Sequence, residues 1–118
     1  RGLVGSEMCI RDSNYQKEAV QNSETQLQIK GLNPSIMVDC SHANSNKDHR
    51  NQSKVLDSVS EQICEGNESI TGVMIESNIG AGNQSISEKL QYGVSITDAC
   101  VDWHETERML TKLAEKLP

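Results

Sequence analysis

Apolar positions along the chain fall into short runs with different periods, and each period predicts an element of secondary structure. Helix-forming residues dominate positions 15–30, and Gly31 with Pro34 just beyond it supplies a common end for a helix. The next apolar run, positions 36–38, lies between Pro34 and a polar cluster. A short continuous run of this kind predicts a strand that is buried on both faces.

A second helix and a second strand follow. The helix is predicted from about position 47 to just before Gly66. Its apolar stripe consists of Val55, Leu56, Val59 and Ile63. Residues 70–76 are mostly β-branched and apolar, and they predict the second strand. The two strands begin about 34 residues apart, the length of one strand–helix–strand crossover, so we expect them to pair in parallel.

A long connection and a third helix complete the pattern. The connection, residues 77–92, is longer than most loops, so we expect it to have a functional role at the carboxyl ends of the strands. The helix is predicted to begin near Asp102, whose spacing to Glu105 fits a capping box. We expect it to bury one stripe, made of Leu110, Leu113, Ala114 and Leu117.

The order helix, strand, helix, strand, helix predicts an α/β fold. Core-forming residues are sparse for such a fold, with 8 Leu, 9 Ile, 8 Val and no Phe among 118 residues. Two strands are also fewer than a sheet of usual width contains. We therefore expect residues 13–118 to be a slice of a larger α/β domain. Residues 1–12 have no clear period and are interpreted as a non-native leader.

Charge and cysteine content restrict the function classes. The net charge of −6 argues against a nucleic-acid partner, and no apolar stretch approaches the ~20 residues of a membrane helix. The 4 cysteines and the Asn-X-Ser motifs at Asn51, Asn67 and Asn83 fit a non-catalytic secreted glycoprotein. The lack of a paired-cysteine spacing and of a leader pattern favours a cytoplasmic protein with reduced thiols.

Polar residues at the predicted strand ends are candidates for chemistry. His42 follows the first strand, and Glu76 is predicted to be the last residue of the second. The carboxyl ends of parallel strands form the usual active-site rim, so these two side chains could share a metal or act as an acid–base pair. Asp39 could lie beside His42 and support its imidazole. Asp98 has capping-box spacing to Ser95, which leaves a helix cap open as its role.

Five motifs occur in order along residues 13–117: VDCSHANS at 38–45, KDHR at 47–50, GVMIES at 72–77, GNQ at 82–84 and YGVSITDAC at 92–100. In this order the chain resembles the type I 3-deoxy-D-arabino-heptulosonate 7-phosphate (DAHP) synthases. That family is a TIM (β/α)8 barrel. The resemblance implies that residues 36–40 are its seventh strand, that residues 70–76 are its eighth, and that the chain is a C-terminal slice with the last two strands and their flanking helices.

The resemblance also implies an activity. The family condenses phosphoenolpyruvate with D-erythrose 4-phosphate and water to give DAHP and phosphate, the first step of the shikimate pathway to aromatic amino acids. It implies that His42, Glu76 and Asp98 are catalytic metal ligands, joined by a cysteine from an earlier part of the barrel. Such a mixed ligand set suits manganese, iron, cobalt or zinc equally.

The same resemblance sets expectations for partners. The two substrates are the expected small-molecule partners, and the full-length enzyme is expected to be a homo-oligomer. The Lys and Arg residues that hold the substrate phosphate belong to other parts of the family's barrel, so we expect this chain alone to be inactive. The sister enzyme, 3-deoxy-manno-octulosonate 8-phosphate synthase, shares the reaction type, but its strand-seven motif differs from the SHANS run at 41–45.

Overall fold

The computed structural model describes residues 13–118, in which helices and short strands alternate in the predicted order. The elements are α1 (Lys17–Ile29), β1 (Ile36–Asp39), α2 (Gln52–Cys64), β2 (Ile70–Met74) and α3 (Trp103–Lys116). Two single-turn 3-10 helices, His42–Ser45 and His49–Asn51, lie between β1 and α2. The prediction of an α/β fold is confirmed for this part of the chain, and none of its helices is long and apolar enough to cross a membrane.

Helix α1 ends as the sequence predicted. Gly31 has a positive φ of 72°, and its N–H donates to Gln28 O at 3.0 Å while Leu32 N–H donates to Leu27 O at 2.9 Å. This pair of bonds is the Schellman arrangement, which satisfies the last carbonyls of a helix and needs a residue that tolerates the left-handed region. The glycine therefore fixes the position at which the chain turns toward β1.

Strands β1 and β2 pair in parallel, which confirms the crossover prediction. Val38 lies opposite Val73 and Asp39 opposite Met74, and α2 forms the connection. The prediction that β1 is buried on both faces is wrong for the described residues, because Val38 is 5% exposed whereas Met37 is 65% exposed. Successive side chains of a strand point to opposite faces, and only one face of this sheet is covered by α2 and α3.

The core lies between the covered face of the sheet and the helices α2 and α3. Its buried members are Val38, Cys40, Val55, Leu56, Val59, Val101 and Met109. The predicted stripe of α2 is confirmed, but the helix begins at Gln52 rather than near position 47. Asn46 and Lys47 take left-handed backbone angles, φ 55° and 58°, and these angles interrupt any helix at that point.

Helix α3 has the predicted beginning but only part of the predicted buried stripe. Asp102 accepts a hydrogen bond from Glu105 N–H at 2.8 Å, which confirms Asp102 as the N-cap. Thr106 and Met109 are the buried residues of the helix, whereas Leu110 is 46% exposed and Ala114 is also exposed. The predicted stripe is therefore confirmed only in part: Leu113 is partly buried and packs against the core that includes Met109, whereas Leu110 and Ala114 are exposed.

Candidate metal centre

The turn after β1 carries the imidazole of the site. His42 begins a 3-10 turn with a positive φ of 51°, an unusual value for a residue with a side chain. The turn is held closed by Lys47 N–H, which donates to His42 O at 2.7 Å, and by the Asn44 side chain, which donates to Asp39 O at 2.7 Å. Backbone in this region costs about 1–3 kcal/mol and persists only where its surroundings fix it, which is typical of functional sites.

Both nitrogens of His42 have defined neighbours. Nδ1 lies 2.8 Å from Asp39 Oδ2 and 2.9 Å from Ser41 Oγ. The other carboxylate oxygen, Asp39 Oδ1, accepts from Ser41 N–H at 2.8 Å and from Ser41 O–H at 2.6 Å. An ionised carboxylate can only accept, so Nδ1 carries a proton toward Asp39. The lone pair of the neutral imidazole then lies on Nε2, the orientation that a metal-binding histidine requires.

The Nε2 atom of His42 faces two carboxylates. It lies 3.1 Å from Glu76 Oε1 and 3.2 Å from Asp98 Oδ2. One ligand atom from each of the three residues lies within 4.8 Å of the other two. Their side chains are 39% exposed for His42, 22% for Glu76 and 62% for Asp98, so the cluster opens to solvent on the Asp98 side. A small molecule could approach it from that side.

Glu76 lies two residues beyond the end of β2. The prediction that it is the last residue of the strand is wrong, because strand pairing stops at Met74, whose carbonyl accepts the final bond from Cys40 N–H at 2.8 Å. Glu76 Oε1 is buried and makes no hydrogen bond to any described residue, although His42 Nε2 is near. A buried carboxylate oxygen without a donor is costly, and a bound cation is one means of satisfying it.

Asp98 reaches the cluster from the long connection between β2 and α3. Gly82 and Cys100 exchange two backbone hydrogen bonds, 2.8 and 3.0 Å, and the Asn83 side chain donates to Thr97 O at 2.9 Å. These bonds place residues 82–84 next to the Asp98 segment, on the carboxyl side of the sheet, as predicted for the loop. The helix-cap interpretation of Asp98 is wrong, because α3 begins at Trp103, five residues beyond Asp98, and its N-cap is Asp102.

The electrostatics of the cluster favour a cation. The hydrogen bond to Asp39 raises the pKa of His42 above its usual 6.5; partial burial opposes this rise, and the charges of Asp39, Glu76 and Asp98 add to it. Burial alone would raise the pKa of Asp39, but hydrogen bonds from Ser41 and His42 outweigh it and lower that pKa below 3.8. When the imidazole is protonated, Nε2 carries a proton that a metal would have to displace. Metal affinity at this cluster should therefore fall as the pH falls.

The remaining histidines and the buried cysteines of the described residues lie outside the cluster. His49 begins the second 3-10 turn, and His104 is exposed near the start of α3. Cys40 is fully buried in the core, and burial is the main cause of a raised pKa at the Cys100 thiol, which keeps that sulfur protonated. The burial of both cysteines shows that they are packing residues.

One residue with a direct contact to the site was missed in the sequence. Gln52 is fully buried, and its side-chain amide forms two hydrogen bonds to the backbone of Glu76. A signal for it exists, because Gln52 precedes Val55 and Leu56 by three and four positions and so lies on their apolar stripe. A polar residue on a buried stripe needs a partner inside the protein.

These features define the class of protein, an α/β protein with a histidine–carboxylate cluster at the carboxyl ends of its parallel strands. The model of the DAHP synthetase I family matches residues 3–111, and the chain belongs to that family. The match begins inside the segment interpreted as a leader. Residues 1–12 lie outside the described residues, and the leader interpretation stays a prediction.

Two similar proteins are both named phospho-2-dehydro-3-deoxyheptonate aldolase. The chain is 50% identical over 107 residues to the Tyr-sensitive phospho-2-dehydro-3-deoxyheptonate aldolase of Escherichia coli, covering 88% of this chain and 30% of that protein. It is 50% identical over 112 residues to the phenylalanine-inhibited enzyme of Saccharomyces cerevisiae, covering 87% of this chain and 30% of that protein.

A solved structure gives the same picture. The phospho-2-dehydro-3-deoxyheptonate aldolase of Francisella tularensis superposes with a TM-score of 0.86 at 47% identity, covering 90% of this chain and 31% of that one. The chain thus spans about a third of the length of the relatives it matches.

Proposed function

We propose that this chain forms part of a metal-dependent enzyme that condenses phosphoenolpyruvate with D-erythrose 4-phosphate and water to give DAHP and phosphate. The observation that carries the proposal is the convergence of His42, Glu76 and Asp98, with a buried Glu76 oxygen that has no hydrogen-bond donor among residues 13–118. Family membership supplies the reaction. A divalent ion of manganese, iron, cobalt or zinc suits this donor set, and a bound ion would supply Lewis acidity toward the aldehyde oxygen of erythrose 4-phosphate.

The residues of the chain have distinct tasks in this proposal. His42, Glu76 and Asp98 would hold the cation, and Asp39 keeps the imidazole in the tautomer that leaves Nε2 free to bind. Ser41 fixes the Asp39 carboxylate through two hydrogen bonds to one oxygen. The exposed Asp98 side of the cluster is the side from which substrate enters.

The architecture we propose is a C-terminal slice of a TIM (β/α)8 barrel, with β1 and β2 as its seventh and eighth strands. The parallel pairing, the α2 crossover and the uncovered side chains of Met37 and Met74 are what such a slice would have. In this proposal the remaining ligand and the phosphate-binding residues come from parts of a longer protein that the chain does not contain. The chain alone is therefore expected to be inactive.

The alternative of a non-catalytic secreted glycoprotein finds little support in the contacts. The side-chain amides of the three acceptor residues all donate hydrogen bonds: Asn51 to Ser45 O, Asn67 to Glu24 Oε1 and Asn83 to Thr97 O. A glycan would replace one of the two hydrogens on such a nitrogen and would crowd its contact. Cys64 and Cys100 form no disulfide with any described residue. We therefore propose that the enzyme is cytoplasmic, a location that suits reduced cysteines. The full-length enzyme is proposed to be homo-oligomeric and to have no nucleic-acid or membrane partner.

The test uses a full-length carrier, defined as the Escherichia coli relative in which residues 13–118 of this chain replace the segment they match. We expect the carrier to release phosphate and form DAHP in the presence of Mn²⁺, and to lose that activity in a chelator. Glu76→Gln keeps the volume of the side chain but removes its charge. It should weaken Mn²⁺ binding by more than about 100-fold, since loss of a supporting contact alone costs 10–100-fold.

Excess Mn²⁺ should restore part of the activity of Glu76→Gln if binding is the main loss. The matched control is Glu107→Gln, an exposed glutamate on α3 that should behave like the unsubstituted carrier. If Glu76→Gln retains the metal content and turnover of the control, the assignment of Glu76 as a ligand is wrong.

A further inference from the structure

Gln52 is the first residue of α2, and its side chain is fully buried. It lies on the same helix stripe as Val55 and Leu56, which are core residues. A buried amide costs free energy unless its donor and its acceptor are both satisfied. The partners of this amide therefore reveal why an apolar residue does not occupy the position.

Both polar atoms of the Gln52 side chain bind the backbone of one residue. Gln52 Oε1 accepts from Glu76 N–H at 2.9 Å, and Gln52 Nε2 donates to Glu76 O at 3.1 Å. This two-bond pattern is the one that a neighbouring strand offers to an extended residue. Strand β1 cannot offer it, because its last bond to the β2 segment is made at Met74 and the chain then turns away toward His42.

The carbonyl of Glu76 also has a second donor. Glu76 O accepts a second bond, from Val101 N–H at 3.0 Å, just after the segment that carries Asp98. The Glu76 N–H has Gln52 Oε1 as its acceptor. Gln52 thus binds both backbone groups of Glu76, at a position where regular sheet pairing no longer does so.

We propose that Gln52 is a positioning residue for the metal centre, which acts by fixing the backbone of the ligand Glu76. The inference rests on the proposed function, because it takes Glu76 as a ligand. A hydrophobic side chain of similar length would fill the same volume and avoid the cost of burying an amide. Both polar atoms of the Gln52 side chain bind Glu76, so this side chain does more than fill space.

The experiment compares two buried glutamines of the same helix in the full-length carrier. Gln52→Met removes both bonds to Glu76 at nearly constant volume. Gln62→Met is the matched control, because Gln62 is also buried and donates to a backbone carbonyl, that of Tyr15 at 2.8 Å, away from the cluster. The measurements are the Mn²⁺ dissociation constant by titration and the visible absorption spectrum of the Co²⁺-loaded protein, which reports ligand geometry.

We expect Gln52→Met to weaken Mn²⁺ binding about 10–100-fold and to change the Co²⁺ spectrum, the effect known for contacts that orient metal ligands. Gln62→Met should leave both unchanged even where it lowers thermal stability. Equal Mn²⁺ affinities and equal Co²⁺ spectra for the two variants would overturn the inference while leaving Glu76→Gln as the separate test of the ligand itself.

If the Gln52→Met protein does not fold, a measurement on the unsubstituted carrier still tests the inference. Amide hydrogen exchange should find Glu76 N–H protected, although it lies outside the strands, because Gln52 Oε1 accepts its bond. If Glu76 N–H exchanges as fast as the exposed loop amides near Ser87, its hydrogen bond to Gln52 is not formed, and the positioning role is rejected.

Discussion

Replacement of Asp39 by asparagine tests how the imidazole of His42 is oriented. The Asp39 carboxylate accepts two hydrogen bonds on Oδ1 from Ser41 and one on Oδ2 from His42 Nδ1. An asparagine has the same shape but offers only one carbonyl oxygen and turns an NH2 group toward the other side. If that oxygen stays with Ser41, the NH2 group faces His42 Nδ1, which must then accept instead of donate.

The consequence is a change of tautomer. An imidazole that accepts at Nδ1 carries its proton on Nε2, where it points at Glu76 and Asp98 and blocks a metal. Return to the binding tautomer would set two donors against each other and lose one hydrogen bond, a cost of about 1.5–3 kcal/mol where a charged group was involved. That range corresponds to roughly a 10–100-fold loss of metal affinity.

The assay is Mn²⁺ titration of the full-length carrier, with Asp48→Asn as the matched control. Asp48 accepts from the backbone N–H two residues on, that of Arg50, as Asp39 does from Ser41, but it lies outside the cluster. We expect Asp39→Asn to bind Mn²⁺ at least about 10-fold more weakly than Asp48→Asn. Equal affinities for the two variants would refute the argument that Asp39 selects the tautomer of His42.

Three further predictions concern helix α3 in the same carrier, measured by chemical denaturation. Met109→Ala should lower the free energy of unfolding by about 2–5 kcal/mol because Met109 is buried, and by clearly more than Leu110→Ala at a half-exposed position; a larger effect at Leu110 would contradict the described packing. Asp102→Ala should cost about 0.5–2 kcal/mol through loss of the N-cap, whereas Asp102→Asn should retain most of it. The hydrogen bond from Arg108 lowers the pKa of Glu105 below 4.5, so the pair stabilises the fold above pH 4.5, and this stabilisation is lost as the pH falls through the lowered pKa. Glu105→Gln should therefore reduce the dependence of the free energy of unfolding on pH in the acid range. An unchanged pH dependence would contradict a stabilising role of the pair.

Local patterns in the sequence were sufficient for the elements and for part of the site. The glycine end of α1, the parallel pairing of the strands and the cap at Asp102 each depend on a few neighbouring residues, and all three are confirmed. The proximity of His42 and Glu76 follows from the rule that the carboxyl ends of parallel strands share an edge. Asp98 was different, because spacing alone favoured a helix cap and only the family resemblance drew attention to it.

The features that sequence reasoning missed depend on contacts between distant segments. Leu110 begins a stripe with ideal helical spacing, yet it is half-exposed, whereas Met109 is buried in one cluster with Val55 and Val101 from other segments. The left-handed angle of His42 follows from bonds that close its turn, not from a glycine signal in the sequence. Strand β2 ends at Met74 because the chain turns away after β1. The end of β2 could not be predicted from the residue types at positions 75–76.

The three segments that carry the cluster share a physical device, because each leaves regular pairing and each is held by a side-chain amide. Asn44 donates to Asp39 O before His42, Gln52 binds both backbone groups of Glu76, and Asn83 donates to Thr97 O before Asp98. Backbone groups outside a sheet still require partners, and an amide can supply them without a charge. A carboxylate in these places would compete for the cation, and an ammonium would repel it. Neutral amides therefore let the backbone be fixed around the cluster while the negative charge stays on the residues that face His42 Nε2.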